Sequence, residues 1–304
     1  MVDKEAEVMF NIVKNRFVYY TISAVIILIG IVMAFVNGFN QDVEFLGGTE
    51  ISVAFGKDFD ADEVSNVVNE AIGKDIASVK VQKVGDAKTD ASIKTLELSN
   101  EQRDAATKAI IEKFGLTQES ILSVDSISAV VGSELKRNAL IGAIIAVILM
   151  LIYISIRFEI LSGCATVCAL IHDVLIMLTV YTVFQIPVDT SLIAAILTIL
   201  GYSINATIVL LDRIRENTKL HRKEAFETIV NNSVKETMGR SLNTTITTLV
   251  VLIVLWIMGV ESIKTFTIPI VVGVVAGFYS SVFLSANFWV FFKKLRKDKN
   301  VFAE

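Results

Sequence analysis

Residues Cys164 to Phe184, CATVCALIHDVLIMLTVYTVF, form an unbroken apolar run with two ionisable side chains, His172 and Asp173, near its middle. A helix of about twenty residues crosses the ~30 Å hydrocarbon core of a bilayer, so the run predicts a membrane-spanning helix. Asp173 lies about nine residues beyond Cys164, or about 14 Å along a helix, which is close to mid-membrane. An ionisable side chain there costs about 2.5 to 3.5 kcal/mol on insertion scales and needs a compensating role. A carboxylate beside an imidazole can bind a proton or a cation. Asp173 with His172 is therefore read as an ion- or proton-path candidate, with a structural hydrogen-bond anchor as the alternative.

Five more runs of spanning length flank this one: Phe17 to Val36, Asn138 to Ile156, Thr190 to Leu211, Ser241 to Met258 and Thr265 to Phe292. The 304-residue chain is 53% apolar, has a mean hydropathy of +0.62, and carries 28 Lys and Arg against 32 Asp and Glu. These values exclude a disordered tail and a basic nucleic-acid binder; the lipid bilayer is the expected environment. The first run follows Lys14 and Arg16 but has no small-residue cleavage site, so it is expected to stay as an anchor. Cys164 and Cys168 are read as packing residues of one helix face without a disulfide. His172 and His221 lie in no ligand-like cluster, so no metal is expected.

Basic residues in the short connections set the orientation. Lys4, Lys14, Arg16, Arg157, Arg213, Arg215, Lys219, Arg222, Lys223, Lys235, Arg240, Lys293, Lys294, Arg296, Lys297 and Lys299 fall on one side, and Lys264 alone in the short loops of the other. Both termini are expected in the cytoplasm. Residues 1–36 are then the cytoplasmic N-terminus and first span, 37–137 an extracytoplasmic domain, and 138–304 a bundle of five spans with a basic cytoplasmic tail. The segment 37–137 has eleven Lys and Arg against eighteen Asp and Glu, and no His or Cys. Strand-like alternation in Thr49–Phe55, helical spacing of Val64, Val67, Val68, Ala71 and Ile72, and alternation at Val79, Val81 and at Ile93, Leu96, Leu98 are followed by a helical stretch, Glu101–Phe114, and a strand-like one, Ile121–Ile127. The order is βαββαβ, which predicts a ferredoxin-like α+β domain. Nothing in it suggests catalysis, and the protein is not expected to be an enzyme. Residues 212–240 are predicted as a cytoplasmic amphipathic loop, with Phe226, Val230, Val234 and Met238 on the apolar face of a helix that lies on the membrane surface or against a neighbouring span.

Two other spans carry polar groups to a similar depth: Gly201, Tyr202, Ser203 and Asn205 in the fourth, and Arg240, Ser241, Asn243, Thr244 and Thr245 at the start of the fifth. Asn205, Arg240, Asn243 and Thr244 join Asp173 as path candidates; the alternatives are interhelical hydrogen bonding for the hydroxyl and amide groups and snorkelling to lipid phosphates for Arg240. Gly273, Gly277, Ser281 and Ser285 place a small residue every four positions in the last span, which predicts close helix packing.

Several segments together resemble the SecF branch of the SecD/SecF family of protein-export membrane subunits, within the resistance-nodulation-division superfamily. They are Glu44-Phe45-Leu46-Gly47-Gly48-Thr49, Ala169-Leu170-Ile171-His172-Asp173-Val174, Gly201-Tyr202-Ser203-Ile204-Asn205, Asp212-Arg213-Ile214-Arg215-Glu216-Asn217, Arg240-Ser241-Leu242-Asn243-Thr244-Thr245 and Gly277-Phe278-Tyr279-Ser280-Ser281. The resemblance implies pairing with SecD, association with the SecYEG channel and a YajC-type accessory subunit, and use of an ion gradient to draw an unfolded polypeptide outward. The coupling ion would be a proton or another monovalent cation, with no other cofactor. It also marks Glu44, Gly47, Gly48, Gly201, Tyr202, Asp212 and Arg213 as motif residues. Two positions depart from the family pattern. Glu44 replaces an Asp, and Ala206 replaces the Asp to which the family assigns proton passage. Ion coupling is therefore expected to be weakened or displaced, and Ala206→Asp should raise the uncoupler sensitivity of export if that carboxylate is limiting. The alternatives are a half-size exporter of lipids or hydrophobic small molecules and a scaffold that stabilises SecD. Hinges of the outer domain are expected at Asn37–Gln41 and Gly132–Lys136.

Overall fold

The computed structural model describes residues 11–73, 79–85 and 88–301, with the side chains of residues 261–262 and 297–301 left aside. Lys4 and the rest of residues 1–10 lie outside this range, as do the side chains of Lys297 and Lys299. Among the described residues, six helices are long and apolar enough to cross a membrane. The chain divides into two compact units: residues 41–141 with 187–190, and the remainder.

The chain enters with α1 (Arg16–Val36) and a single short turn, α2 (Val43–Leu46). The first unit continues with β1 (Gly48–Ala54), α3 (Ala61–Ile72), β2 (Lys80–Val84), β3 (Asp90–Thr95), α4 (Asn100–Phe114) and β4 (Ile121–Ile127). The four strands pair antiparallel in the order β2-β3-β1-β4. Alternation in β1 sends Ile51 and Val53 to one face. There they pack with Ile93 of β3 and with Val64, Val68, Ile72, Ala106 and Ile110 of the two helices. Asp60 caps α3, and a reciprocal Ser99–Gln102 pair caps α4, which supplies hydrogen-bond partners to otherwise unmet N–H groups.

The opposite sheet face is polar. Glu50 stands between Lys94 on β3 and Asp125 on β4, and Lys94 faces Lys80 on β2. Lys94 forms an ion pair with Asp42, the N-cap of α2, and lies 4.0 Å from Glu50. Burial raises the Glu50 carboxyl above the ordinary range, opposed by the Ser92 hydroxyl that donates to it at 2.5 Å and by Lys94. A carboxyl raised on folding contributes stability that is complete below the unfolded value and is lost as pH rises through the folded one. Acidification from neutral pH should therefore stabilise the native chain relative to Glu50→Gln, a difference read by thermal unfolding of both proteins across that pH range.

The Gly47-Gly48 pair has a steric cause. Both have positive φ, and a Cβ on Gly48 would stand 2.4 Å from the Thr95 carbonyl oxygen, while one on Gly47 would stand 2.4 Å from Ala129 Cα. Neither neighbour is a side chain that could swing aside. Gly48→Ala is expected to cost about 2 to 3 kcal/mol, measurable as a lowered midpoint of denaturant unfolding.

The remaining helices are α5 (Ala129–Arg157), α6 (Ile160–Phe184), α7 (Thr190–Leu220), α8 (Phe226–Met258), α9 (Glu261–Tyr279) and α10 (Ala286–Val301). Between α9 and α10 the residues Ser280–Ser285 form a π-helical segment. In the second unit α6 is largely buried, packed against α1, α9 and the π segment. Gly30 of α1 permits the closest approach: a Cβ there would fall 2.0 Å from the Thr179 hydroxyl of α6. Gly273 and Gly277 give α7 the same access, against Ile199 and Ser203. Small residues let helix backbones meet where apolar side chains gain nothing from leaving lipid.

Two expectations are corrected. Residues 212–240 form no separate loop helix, because α7 runs on to Leu220 and α8 already begins at Phe226. The apolar stripe of Phe226, Val230, Val234 and Met238 packs into the bundle core with Ile12, Val13 and Trp289, so of the two placements expected for it the structure shows the one against neighbouring helices. Gly132–Lys136 forms no hinge either, since it lies inside α5. Gly132 packs so closely on Gly47 that a Cβ would lie 2.8 Å from the Gly47 nitrogen.

Candidate functional site

Asp173 is fully buried on α6. Its Oδ1 lies 2.9 Å from His172 Nδ1, and its Oδ2 accepts from Ser203 Oγ of α7 at 2.5 Å and from Ser280 Oγ of the π segment at 2.8 Å. An ionised carboxylate only accepts, so in that state Nδ1 carries the imidazole proton. Three donors from three helical segments thus replace the water that the charge would otherwise hold, which is the condition for keeping such a group inside a protein.

His172 is also buried, and its Nε2 has no hydrogen-bond partner among the described residues. Its ring faces Tyr279 at 6.0 Å, and the Tyr279 hydroxyl donates to the Tyr19 carbonyl of α1 at 2.8 Å. Tyr19 in turn stacks on Phe283 with centroids 4.7 Å apart. The site therefore reaches α1 as well as α6, α7 and the last span. A π segment replaces i→i+4 bonds with i→i+5 bonds, a substitution frequent at functional sites because it re-aims side chains at small cost.

The other candidates stand elsewhere. Asn205, Arg240, Asn243 and Thr244 are exposed on the surface of this chain, and Ala206 is half-buried. None of them hydrogen-bonds to Asp173, whose partner on α7 is Ser203. Gly201 is exposed with open space beside it, and the Tyr202 hydroxyl meets Thr245 Oγ1 at 2.8 Å, joining α7 to α8. Asp212 pairs with Arg157 at 2.9 Å and Arg215 at 3.4 Å; Arg213 pairs with Glu236 at 2.5 Å and Glu216 at 2.7 Å. Through Arg157 and Glu236 these motif residues tie α7 to the end of α5 and to α8. Glu44 accepts from the Thr190 nitrogen and hydroxyl at 3.1 and 2.8 Å, holding the start of α7. Cys164 and Cys168 are free thiols. Among the described residues no group of three His, Cys, Asp or Glu is placed to hold a metal ion.

Ser203 and Ser280 are the site residues that sequence reasoning did not select. Both lie in quoted motifs, but a serine in a membrane helix has many partners open to it. The available signal was the pairing of Asp173 with small residues on other spans.

The profile of the family described as "Protein export membrane protein SecD/SecF, C-terminal" matches residues 106–295. The protein translocase subunit SecF of Acidaminococcus fermentans is 36% identical over 95% of this chain and 99% of its own length. The chain belongs to the SecD/SecF family. Bacillus subtilis SecDF, a protein translocase subunit, is 33% identical over 95% of this chain and 39% of its own. A solved structure of SecDF from Thermus thermophilus, described as a translocon-associated membrane protein, superposes with a TM-score of 0.84 at 28% identity. It covers 93% of this chain and 38% of that one. Within the SecD/SecF family this chain thus corresponds in length to the SecF subunits and to about two-fifths of the SecDF chains.

Proposed function

We propose that this chain is the SecF-type subunit of a protein translocase in the bacterial plasma membrane, working with a SecD-type partner to drive late stages of polypeptide export with an ion gradient. In this reading both termini are cytoplasmic, and the 41–141 unit is an extracytoplasmic, ferredoxin-like domain that meets the emerging unfolded chain. SecYEG and a YajC-type subunit are the further partners. The βαββαβ order with strand order 2-3-1-4 supports the fold, and the SecDF relatives, in which the matching segment is part of a longer chain, support the SecD-type partner.

The observation that carries the reading is the Asp173 carboxylate held by His172, Ser203 and Ser280. Deprotonated, it accepts three hydrogen bonds; protonated, it must donate one. One of its partners must then turn or withdraw. Ser203 and Ser280 belong to different helices, so the change is felt as altered packing of α6 against α7 and the last span, with the π segment as the adaptable element. Each elementary charge that crosses 100 mV supplies about 2.3 kcal/mol, enough per ion to shift a two-state packing equilibrium roughly fiftyfold.

The test is export of a secreted precursor by membranes from a host depleted of this chain. Depletion should slow a late, uncoupler-sensitive stage, and the natural sequence should restore it. Unchanged export would overturn the reading. Ala206→Asp, which restores the family carboxylate, separates the scaffold alternative: greater uncoupler sensitivity would mean that coupling in this chain is limited at that position.

A further inference from the structure

We propose that the cavity between the start of α1, the start of α8 and α10 is a binding site for the phosphate of an anionic phospholipid headgroup. The cavity has a volume of about 410 Å³ and is lined by Lys14, Arg16, Lys294, Thr228, Asn231 and Glu227 among others. Three cations face one carboxylate. Glu227 is taken by Lys294 in an ion pair, whereas Lys14 and Arg16 have no carboxylate within ion-pair distance among the described residues. Its floor is preformed: Asn231 Oδ1 accepts from the Val13 nitrogen at 3.2 Å, and Asn231 Nδ2 donates to Asn11 Oδ1 at 3.0 Å.

The position favours a lipid as the source of the phosphate. Arg16 opens the first span and Lys294 lies near the end of the last, which runs Ile263–Arg296, so both charged heads sit at the level of lipid headgroups. Directly after Arg16 the exposed Phe17 and Val18 offer apolar surface to acyl chains. A guanidinium can grip two phosphate oxygens through its planar fork while lysine adds a point charge. Basic pockets between spans are suited to anionic headgroups for these reasons. A second cavity at this end of the bundle, beside Arg157, Asp212, Arg215 and Lys219, differs in that Arg157 and Arg215 are both paired with Asp212. Occupation of the first cavity would clamp the segment Asn11–Arg16, whose Ile12 and Val13 are already buried, onto α8 and α10.

The experiment is titration of the full chain in neutral detergent with dihexanoyl phosphatidylglycerol, dihexanoyl phosphatidylcholine and glycerol phosphate, read by calorimetry and by the shift in Tm. The anionic lipid is expected to bind saturably and raise Tm, with the other two at least about tenfold weaker. Lys14→Gln with Arg16→Gln should weaken the anionic lipid by about tenfold or more, and Lys219→Gln should leave it unchanged. Should the double variant fail to fold in the absence of lipid, Asn231→Asp keeps both cations, adds a negative charge to the cavity, and should show the same loss. Equal binding of the two lipids overturns the proposal, as does wild-type binding by the charge variants. Glycerol phosphate binding as tightly as the anionic lipid overturns the lipid source and assigns the cavity to a soluble anion.

Discussion

Asp173→Asn is expected to abolish the uncoupler-sensitive part of polypeptide export while leaving the chain folded. The amide keeps an acceptor oxygen for Ser203 and Ser280, the groups that now donate to Oδ2, and its NH2 can face His172 once the imidazole adopts its other tautomer. Shape and hydrogen-bond number are nearly conserved, so the stability cost stays within about 1 to 2 kcal/mol. What is lost is the exchange between a group that accepts three hydrogen bonds and one that must donate. Asp173→Ala differs, because it leaves the Ser203 hydroxyl and the His172 Nδ1 unpaired in a dry interior at about 1 to 3 kcal/mol each, while Ser280 keeps only the Gly277 carbonyl at 3.3 Å, and low yield of folded chain is its expected result. Precursor export into inverted vesicles, with and without uncoupler and alongside Tm in detergent, distinguishes the two. Wild-type uncoupler sensitivity in a folded Asp173→Asn chain would remove the carboxylate from the coupling mechanism.

Lys94→Met is expected to destabilise the 41–141 unit by about 3 to 5 kcal/mol, the usual penalty for stranding one partner of a buried ion pair. Lys94 and Asp42 each keep only 10% of their side-chain surface exposed, and Glu50 lies at 4.0 Å on the other side of the ammonium. Without the lysine, two carboxylates share a desolvated site with no cation, and Glu50, already raised by burial, would be pushed further toward its neutral form. The variant should therefore recover part of its lost stability at acidic pH. A second change, Asp42→Asn, removes the stranded charge and keeps an oxygen for the Glu44 nitrogen that Asp42 now caps at 3.3 Å. The double variant should lose less than Lys94→Met alone. Protease resistance and denaturant midpoints of the full chain in detergent measure both effects. Equal losses in the single and double variants would show that the pair is not coupled.

The six spans, and the alternating strands and helices between the first two of them, were legible because each is written in consecutive residues. The stripe Val64, Val68, Ile72 lies on one face of α3 and is buried, and Ile121–Ile127 is β4 from end to end. Helix ends were less legible. The polar residues after Leu211 continue α7 to Leu220, since a helix already nucleated extends readily through residues of good propensity whether or not they are apolar. Asp173 stood out as a charge at apolar depth, but its partners did not. Asn205, Arg240, Asn243 and Thr244 matched it in depth along the chain, and depth says nothing about which way a helix is rotated.

By itself the sequence determined the number of spans, the order of strands and helices in the first unit, and the presence of an expensive carboxylate in the third span. These follow from local quantities: the length of apolar runs, their period, and the transfer cost of a single side chain. Only the tertiary structure decided that the carboxylate is met by Ser203, 30 positions away, and Ser280, 107 positions away. That choice depends on how Gly273 and Gly277 let the last span lie against α7, and on the π segment that carries Ser280. Helix rotation and close approach are set by all the neighbours at once, so no single stretch of the chain encodes them.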